Sequence, residues 1–311
     1  MTTPLISVVS PVYKAEKIVP ELVKRIIESL TEITDNYEII LVEDAGPDGS
    51  WAKIEEECKR NSKVKGIKFS RNYGQHYAIT AGLQYAKGDY IVVLDCDLQE
   101  NPKYIKDLYE TAQSGVDIVF TYKEKRSQSV FKKITAALFY KLYNYLLDNR
   151  GHKIHEDIGT LSMINRKVAD AFLSYKEFNR DYTYILQSLG YKTAYKKIQH
   201  DKRYEGTSSY TFSKLFKHAI ASITSYSDKL LRLSITFGFV FFLISIIWAI
   251  YTLYMHFTSN VPMGYTSMFI FELLGTGLIL MSLGITGIYI GKIFEQVKER
   301  PLYTIDIKVN L

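Results

Sequence analysis

Hydrophobic residues follow two different patterns, which change near residue 232. In the first part, short runs rich in β-branched residues alternate with amphipathic stretches. This alternation, with strands apolar along their whole length, predicts a mostly parallel sheet covered by helices on both faces. The predicted strands are Leu5 to Ser10, Glu38 to Glu43, Val64 to Phe69, Tyr90 to Asp95 and Val116 to Thr121.

Beyond residue 232 the chain becomes continuously apolar. Residues 233–255 carry no charge and span about 34 Å as a helix, against a hydrocarbon core of about 30 Å. After a polar connection, residues 267–291 form a second apolar run in which Glu272 is the single charged residue. The pattern predicts a transmembrane hairpin; a hairpin buried in a globular core is the alternative.

Lysines and arginines flank the two runs but are missing from the connection between them. Because loops rich in Lys and Arg stay in the cytoplasm, we expect a multi-pass protein of the plasma (bacterial inner) membrane. Residues 1–232 and both termini should face the cytoplasm. The flanking cations are Lys229, Arg232, Lys292, Lys298 and Arg300.

Composition and charge narrow the class further. A hydrophobic content of 47% excludes a disordered chain. Residues 1–120 carry 14 Lys and Arg against 19 Asp and Glu, whereas residues 121–232 carry 21 against 10. The basic middle segment indicates nucleic acid, anionic lipid or a phosphorylated ligand, and no nucleic-acid-binding motif accompanies it. Its two amphipathic stretches, 129–147 and 212–232, predict helices on a lipid surface or, alternatively, helices packed on the core.

Acidic residues stand where predicted strands end. Asp95 and Asp97 leave an apolar strand at positions i and i+2, and Glu43 and Asp44 end another. Two carboxylates with Gln99 offer oxygen ligands to one hard cation, although a solvated acidic pair has the same pattern. The glycine motifs of dinucleotide folds and P-loops do not occur.

Five segments follow one another in a characteristic order. They are S-V-V-S-P-V-Y at 7–13, E-I-I-L-V-E-D-A-G-P-D-G-S at 38–50, F-S-R-N-Y-G at 69–74, A-G at 81–82 and G-D-Y-I-V-V-L-D-C-D-L-Q-E-N-P at 88–102. This set resembles glycosyltransferase family 2, and within it the membrane-anchored polyprenyl-phosphate sugar transferases, which include dolichol-phosphate mannosyltransferase and bactoprenol glucosyltransferase. The resemblance implies a GT-A (Rossmann-like) α/β domain that binds a nucleotide sugar.

The resemblance also implies roles for individual residues. Nucleotide-sugar contacts are expected from Pro11, Tyr13, Asp44, Arg71, Asp95, Lys123 and Arg203. Asp95, Asp97 and Gln99 would hold Mg2+ or Mn2+. Catalytic roles are expected for Asp97 and Arg126. Asp157, three residues before Thr160, is a third catalytic candidate, as a base or as a group that orients the acceptor; a solvated loop carboxylate is the alternative. Contacts with the lipid phosphate are expected from Arg126, Lys132, Lys133 and Ser208.

The chain departs from the family pattern at four places. Glu43-Asp44 stands where the family usually has Asp-Asp, and Lys123 stands where it has an arginine after the fifth strand. The G-D-F-R element is Gly159-Thr160-Leu161-Ser162, which lacks both the acid and the cation, and Ser209 replaces the lysine of an S-K pair. The implied reaction moves a sugar, with inversion, from a UDP-sugar to a polyprenyl phosphate such as undecaprenyl phosphate on the cytoplasmic leaflet. The alternative is a non-catalytic scaffold or partner of a membrane flippase; a homo-oligomer is left open.

The expected organisation therefore has four parts. Residues 1–211 form the catalytic domain, 212–232 a juxtamembrane helix, 233–291 the transmembrane hairpin and 292–311 a cytosolic tail.

Overall fold

A computed structural model describes residues 4–123, 145, 158–199, 201, 223–224, 227–258 and 265–311. The chain divides into two compact units. The first comprises Met1–Ser129, His152–Ser209 and Arg300–Leu311; the second comprises Val130–Gly151 and Tyr210–Glu299. The predicted lipid-surface helices fall almost wholly outside the described residues, and the predicted domain boundaries stay predictions.

The first unit is built on an eight-stranded sheet in the order β7-β5-β6-β4-β1-β2-β3-β8. Strand β1 pairs in parallel with β2 and β4, β2 with β3, and β5 with β7, whereas β6 and β8 run antiparallel to their neighbours. The strands are β1 (Ile6–Val12), β2 (Tyr37–Glu43), β3 (Val64–Phe69), β4 (Tyr90–Val93), β5 (Ile118–Lys123), β6 (Ile158–Asn165), β7 (Thr193–Ile198) and β8 (Ile305–Val309).

Helices cover both faces of this sheet. They are α1 (Val19–Thr31), α2 (Ser50–Arg60), α3 (Gln75–Tyr85), α4 (Ile105–Gln113), α5 (Arg166–Ser174) and α6 (Tyr182–Ser188). Helix α1 shows why they form: Val19, Leu22, Val23, Ile26 and Leu30 recur at helical spacing and are all buried. Its proline stands at the first helical turn, where the missing N–H costs nothing.

Two hydrophobic cores follow from this layering, one on each face of the sheet. Side chains of α1 and α4 pack in the first core, and those of α3, α5 and α6 in the second. Strands β1 and β2 are buried along all seven residues of each, as expected of strands covered on both faces. The five predicted strands are confirmed as β1 to β5, with ends that differ by two residues or fewer.

Three strands were not predicted from the sequence. Strands β6 and β7 lie beyond residue 120, and β8 lies in the segment predicted only as a tail. Strand β8 pairs antiparallel with β3, with Ile305 opposite Phe69 and Val309 opposite Gly66. The last residues of the chain therefore complete one edge of the sheet.

The second unit contains two long apolar helices, α7 (Lys229–Thr258) and α8 (Tyr265–Val297). Both are long and apolar enough to cross a membrane by length and composition. They contact each other through stacked rings, with Phe241 and Phe271 centroids 5.2 Å apart. A Cβ added at Gly275 would lie 3.5 Å from Phe241, an ordinary van der Waals distance, so alanine would also fit at this position.

Candidate active site

Strands β1, β2, β3, β4 and β5 all end at the same edge of the sheet. Their pairing runs in parallel from β4 through β1 and β2 to β3, and β6 connects β4 to β5 with two antiparallel pairings. The antiparallel strands β6 and β8 therefore begin at this edge. Ligands of open α/β sheets bind at the carboxyl ends of the strands, so this edge is the candidate active site.

The backbone is strained at three points along this edge. Lys14, Ala45 and Leu98 adopt φ values of 53°, 47° and 57°, in the left-handed region that residues other than glycine rarely adopt. Each follows the carboxyl end of a strand, namely β1, β2 and β4. Strained backbone of this kind persists where surrounding contacts hold it and clusters at functional sites.

Asp95 is held by a hydrogen bond on each carboxylate oxygen. The Gln75 side-chain amide donates to Oδ1 at 2.6 Å, and the Thr160 hydroxyl donates to Oδ2 at 2.9 Å. Gln75 is the first residue of α3, and Thr160 lies in β6. Two elements distant in sequence thus orient the first aspartate of the D-C-D segment.

Asp97 lies in the turn that follows β4. Its Oδ1 accepts the backbone N–H of Gln99 at 3.1 Å, and the carbonyl of Gln99 accepts from the N–H of Asp201 at 3.0 Å. Burial raises the pKa of the intervening Cys96 thiol to about 12. Cys96 is therefore a neutral packing residue between the two carboxylates, and it supplies no thiolate.

A third acidic residue of this segment, Glu100, is buried at 4% exposure. Its Oε2 accepts the backbone N–H of Leu161 at 2.6 Å. A Cβ on Gly159 would lie 1.8 Å from Glu100 Oε1 and 2.8 Å from Thr121 Oγ1. A side chain at residue 159 would therefore displace the buried Glu100 carboxylate, and Glu100 fixes the start of β6 and with it Thr160.

Glu43 and Asp44 end β2 and are both buried. Asp44 accepts the backbone N–H groups of Tyr73 at 2.7 Å and Gly74 at 2.8 Å, whereas Glu43 accepts that of Gly46 at 2.5 Å. Burial raises the pKa of both carboxyls above its ordinary value. Asp44 thereby holds the loop of residues 70–74, and its predicted contact with the nucleotide stays a prediction.

The 70–74 loop follows β3 and presents Arg71 at the surface. The Arg71 guanidinium lies 4.2 Å from the centre of the Tyr73 ring, in the range of a cation–π contact. Hydrogen bonds with Ser70 and Thr304 lower the pKa of Tyr73 to about 8. Arg71 is thus a cation at the site edge with its side chain stacked on an aromatic neighbour.

The other predicted residues fall into two groups, those that the structure describes and those outside the described ranges. Tyr13 is 44% exposed at the end of β1, Pro11 is buried within that strand, and Lys123 is the last residue of β5. The remainder lie outside the described residues: Arg126, Lys132, Lys133, Asp157, Arg203 and Ser208.

Sequence reasoning missed Gln75, the contact between Thr160 and Asp95, and the buried role of Glu100. Gln75 was given no role because nothing local marks it, although it follows the recognised F-S-R-N-Y-G segment directly. Glu100 stands within the D-C-D-L-Q-E-N-P segment, so its position in that motif was the available signal.

The carboxylates of Asp95 and Asp97 fit a hard divalent ion, because both are oxygen donors in one short turn. Within the described ranges, no group of three or more His, Cys, Asp or Glu side chains is arranged to hold a metal by itself. A cation here would therefore take its remaining ligands from elsewhere, such as the oxygens of a bound diphosphate and water.

A Rossmann-like sheet with an acidic turn after its fourth strand is the arrangement of the GT-A fold. In structure the chain resembles the mannosyltransferase PcManGT of Pyrobaculum calidifontis, solved with GDP-Man and Mn2+. The TM-score is 0.50 at 15% identity, over 96% of this chain and 88% of that one. At this identity the likeness concerns the fold.

The chain belongs to glycosyl transferase family 2, whose model matches residues 7–173. It is 35% identical to the glycosyltransferase YkcC of Bacillus subtilis, over 96% of this chain and 92% of the relative. It is also 33% identical to an undecaprenyl-phosphate 4-deoxy-4-formamido-L-arabinose transferase of Aeromonas hydrophila, over 97% and 93%. The predicted family is thereby confirmed, the chain is a transferase, and it is related to undecaprenyl-phosphate sugar transferases.

Proposed function

We propose that this protein transfers a sugar from a nucleotide sugar, most simply a UDP-sugar, to a polyprenyl phosphate such as undecaprenyl phosphate. The observation that carries the proposal is the setting of Asp95, whose two carboxylate oxygens accept from Gln75 and Thr160 at the carboxyl edge of the sheet. Two relatives carry the name undecaprenyl-phosphate 4-deoxy-4-formamido-L-arabinose transferase, which supports this acceptor class.

At the donor end, Asp95 and Asp97 with Gln99 would hold Mg2+ or Mn2+. Such an ion offsets the negative charge of the departing nucleoside diphosphate. The chain's own contribution is orientation: Gln75 and Thr160 restrain Asp95, and the Gln99 N–H restrains Asp97. Restrained carboxylates need no reorganisation when the ligand arrives. Arg71 places a further positive charge at the same edge.

The residue at position 160 favours a phosphate acceptor over an alcohol. The Thr160 hydroxyl donates a hydrogen bond to Asp95, so this position offers no basic atom to accept a proton from the acceptor. A phosphomonoester has a second pKa of about 6 and is largely dianionic at pH 7. Its oxygen needs no deprotonation before it attacks.

In the proposed step, a phosphate oxygen of the lipid forms a bond to the anomeric carbon of the sugar. The bond between that carbon and the β-phosphate oxygen of the donor breaks, and its electron pair leaves with the nucleoside diphosphate. A single displacement of this kind inverts the anomeric configuration. Analysis of the product lipid by NMR should therefore find the configuration opposite to that of the donor.

The two apolar helices support a lipid acceptor. Lysines and arginines stand on both outer sides of the helix pair, at Lys229 and Arg232 and at Lys292 and Lys298, whereas residues 255–266 contain none. By the positive-inside rule, we infer that both helices span the membrane and both termini are cytoplasmic. A reporter fused after Leu311 should be active if it requires the cytoplasm and inactive if it requires export; the reverse result would contradict this orientation.

The activity itself is tested by incubating the purified full-length protein in detergent with undecaprenyl phosphate, Mn2+ or Mg2+ and a panel of radiolabelled nucleotide sugars. We expect label in the lipid extract with at least one donor. Asp97→Asn should abolish it. Asp89→Asn is the matched control, because Asp89 lies before the other end of β4 and accepts the Leu5 N–H.

Two results would contradict the proposal. The first is the absence of lipid-linked label with every donor and either metal, although the protein is folded. The second is unchanged labelling by Asp97→Asn.

A further inference from the structure

The last residues of the chain lie against the loop that carries Arg71. We define residues 303–311 as the C-terminal strap; it comprises Tyr303, Thr304, strand β8 and the two residues after it. Because β8 runs antiparallel to β3, its first residue lies opposite the last residue of β3. The strap therefore begins at the carboxyl edge of the sheet, where the candidate active site lies.

Three contacts join the strap to the end of β3 and the start of the 70–74 loop. The Tyr303 and Phe69 rings stack with centroids 5.0 Å apart and planes at 20°. The Ser70 N–H donates to the Thr304 carbonyl at 3.1 Å. A hydrogen bond with Thr304 also contributes to the lowered pKa of the Tyr73 hydroxyl.

The strap is itself anchored at both ends. The Tyr303 hydroxyl donates to the side chain of Gln84 in α3. At the far end, the Asn310 side-chain amide donates to the carbonyls of Cys58 at 2.8 Å and Val64 at 2.9 Å. Satisfied hydrogen bonds at each end hold an edge strand that would otherwise fray.

The 70–74 loop connects the strap to two acidic residues of the site, Asp44 and Asp95. Residues 73 and 74 donate their N–H groups to Asp44, and the next residue, Gln75, donates to Asp95. One continuous stretch thus runs from the Phe69 ring, against which Tyr303 stacks, to Asp95, the carboxylate that the proposed function assigns to donor binding. A change at the strap reaches both Arg71 and Gln75 through this stretch.

We propose that the C-terminal strap is a positioning element of the donor site: Tyr303 and Thr304 hold the 70–74 loop in the geometry that binds the nucleotide diphosphate. This inference rests on the proposed function, since it concerns donor binding. Tyr303 touches no reacting atom and acts through Phe69 and Ser70. Loss of the strap should therefore weaken donor binding more than acceptor binding.

The test compares Tyr303→Ala with Tyr303→Phe in the full-length protein. Alanine removes the stacked ring, whereas phenylalanine keeps the ring and loses only the bond to Gln84. Asp306→Asn is the control, because Asp306 is an exposed residue of the same strand. If Tyr303→Ala does not fold, Tyr303→Leu keeps most of the volume without the flat ring, and Asn310→Ala releases the distal anchor.

Two measurements are made on each variant. Hydrogen–deuterium exchange followed by mass spectrometry reports protection of the backbone N–H groups in residues 69–77. Isothermal titration calorimetry with UDP and Mn2+ reports donor affinity. For Tyr303→Ala we expect faster exchange confined to residues 69–77 and UDP binding about tenfold weaker, equivalent to ~1.4 kcal/mol. Tyr303→Phe and Asp306→Asn should remain within about twofold of the wild type, and the KM for undecaprenyl phosphate should not change.

The outcomes separate this inference from the proposed function. Unchanged exchange in residues 69–77, or faster exchange with unchanged UDP affinity, overturns the role of the strap while leaving the proposed function intact. A wild-type protein that binds neither UDP nor any other nucleotide of the donor panel overturns the proposed function and the strap's role in donor binding together. Equal loss of UDP affinity in Tyr303→Ala and Asp306→Asn also overturns the role of the strap, and it leaves the proposed function intact.

Discussion

Replacement of Gly159 by alanine tests the packing that fixes Thr160 at the active site. The added Cβ would lie 1.8 Å from Glu100 Oε1, far closer than two such atoms can approach. Glu100 is buried at 4% exposure and binds the Leu161 N–H, so its carboxylate must move and that bond must lengthen or break. Thr160, which donates to Asp95, lies between Gly159 and Leu161 in the sequence.

The magnitude follows from two costs. Overpacking a filled interior costs about 1–3 kcal/mol, and an unsatisfied buried group costs about 1–3 kcal/mol more. The sum, ~2–6 kcal/mol, corresponds to a fall in Tm of about 4–24 °C for a domain of this size. Lipid-labelling activity should fall as well, because Thr160 is displaced from Asp95.

The assay is thermal unfolding in detergent of Gly159→Ala, Glu100→Ala and the double variant. With the Glu100 carboxylate removed, the closest clash is gone and only the contact with Thr121 Oγ1 at 2.8 Å remains, so the additional cost of the alanine should drop by more than about 1 kcal/mol. Gly277→Ala is the control, because a Cβ at that glycine meets no atom of the described residues within 4 Å. A Tm for Gly159→Ala within about 2 °C of the wild type, or the same fall in both backgrounds, would refute this reasoning.

Three further predictions follow from other contacts. Burial raises the pKa of Glu38, but hydrogen bonds led by that from Lys65 lower it by more, so the folded pKa is below the ordinary value. The stabilisation from the Glu38 carboxylate is therefore present above about pH 4.3 and is lost as the pH falls through the folded pKa. Glu38→Gln should lower the Tm at pH 7 and flatten the dependence of Tm on acid pH, whereas an unchanged acid profile of Tm would contradict this role of Glu38. Ala45→Gly relieves a φ of 47° and should raise stability by about 1 kcal/mol in thermal unfolding; a lower Tm contradicts the strain. Thr160→Val should reduce the initial rate of lipid labelling about tenfold through loss of a hydrogen bond to the charged Asp95, and Thr160→Ser should retain it; equal rates for the two variants would show that the hydroxyl has no role.

Much of the sheet could be predicted because its central strands carry their signal locally. Strands β1 and β2 are apolar along their length and buried on both faces, so a run of β-branched residues is enough to identify them. Strand β8 is different: Ile305, Asp306, Ile307, Lys308 and Val309 make a short, half-polar strand at a sheet edge. Its partner β3 lies more than 230 residues earlier in the chain, and no local pattern indicates that pairing.

The candidate site divides in the same way. The acidic residues at strand ends were recognisable, because an apolar run followed by carboxylates indicates the exposed end of a buried strand. Their partners were not recognisable. Gln75 and Thr160 are separated from Asp95 by 20 and 65 residues, and the departure from G-D-F-R at Thr160 had been noted as the loss of an acid. The structure shows what the threonine does instead.

The sequence by itself determined the α/β class, the two apolar helices and the edge of the sheet where carboxylates collect. These features depend on periodicity and on the length of apolar runs, which are properties of neighbouring residues. Only the tertiary structure decided which groups restrain Asp95, what a side chain at residue 159 would displace, and that the chain's last strand lies beside the 70–74 loop. Such contacts depend on strand order and register, which are set by the packing of the whole unit.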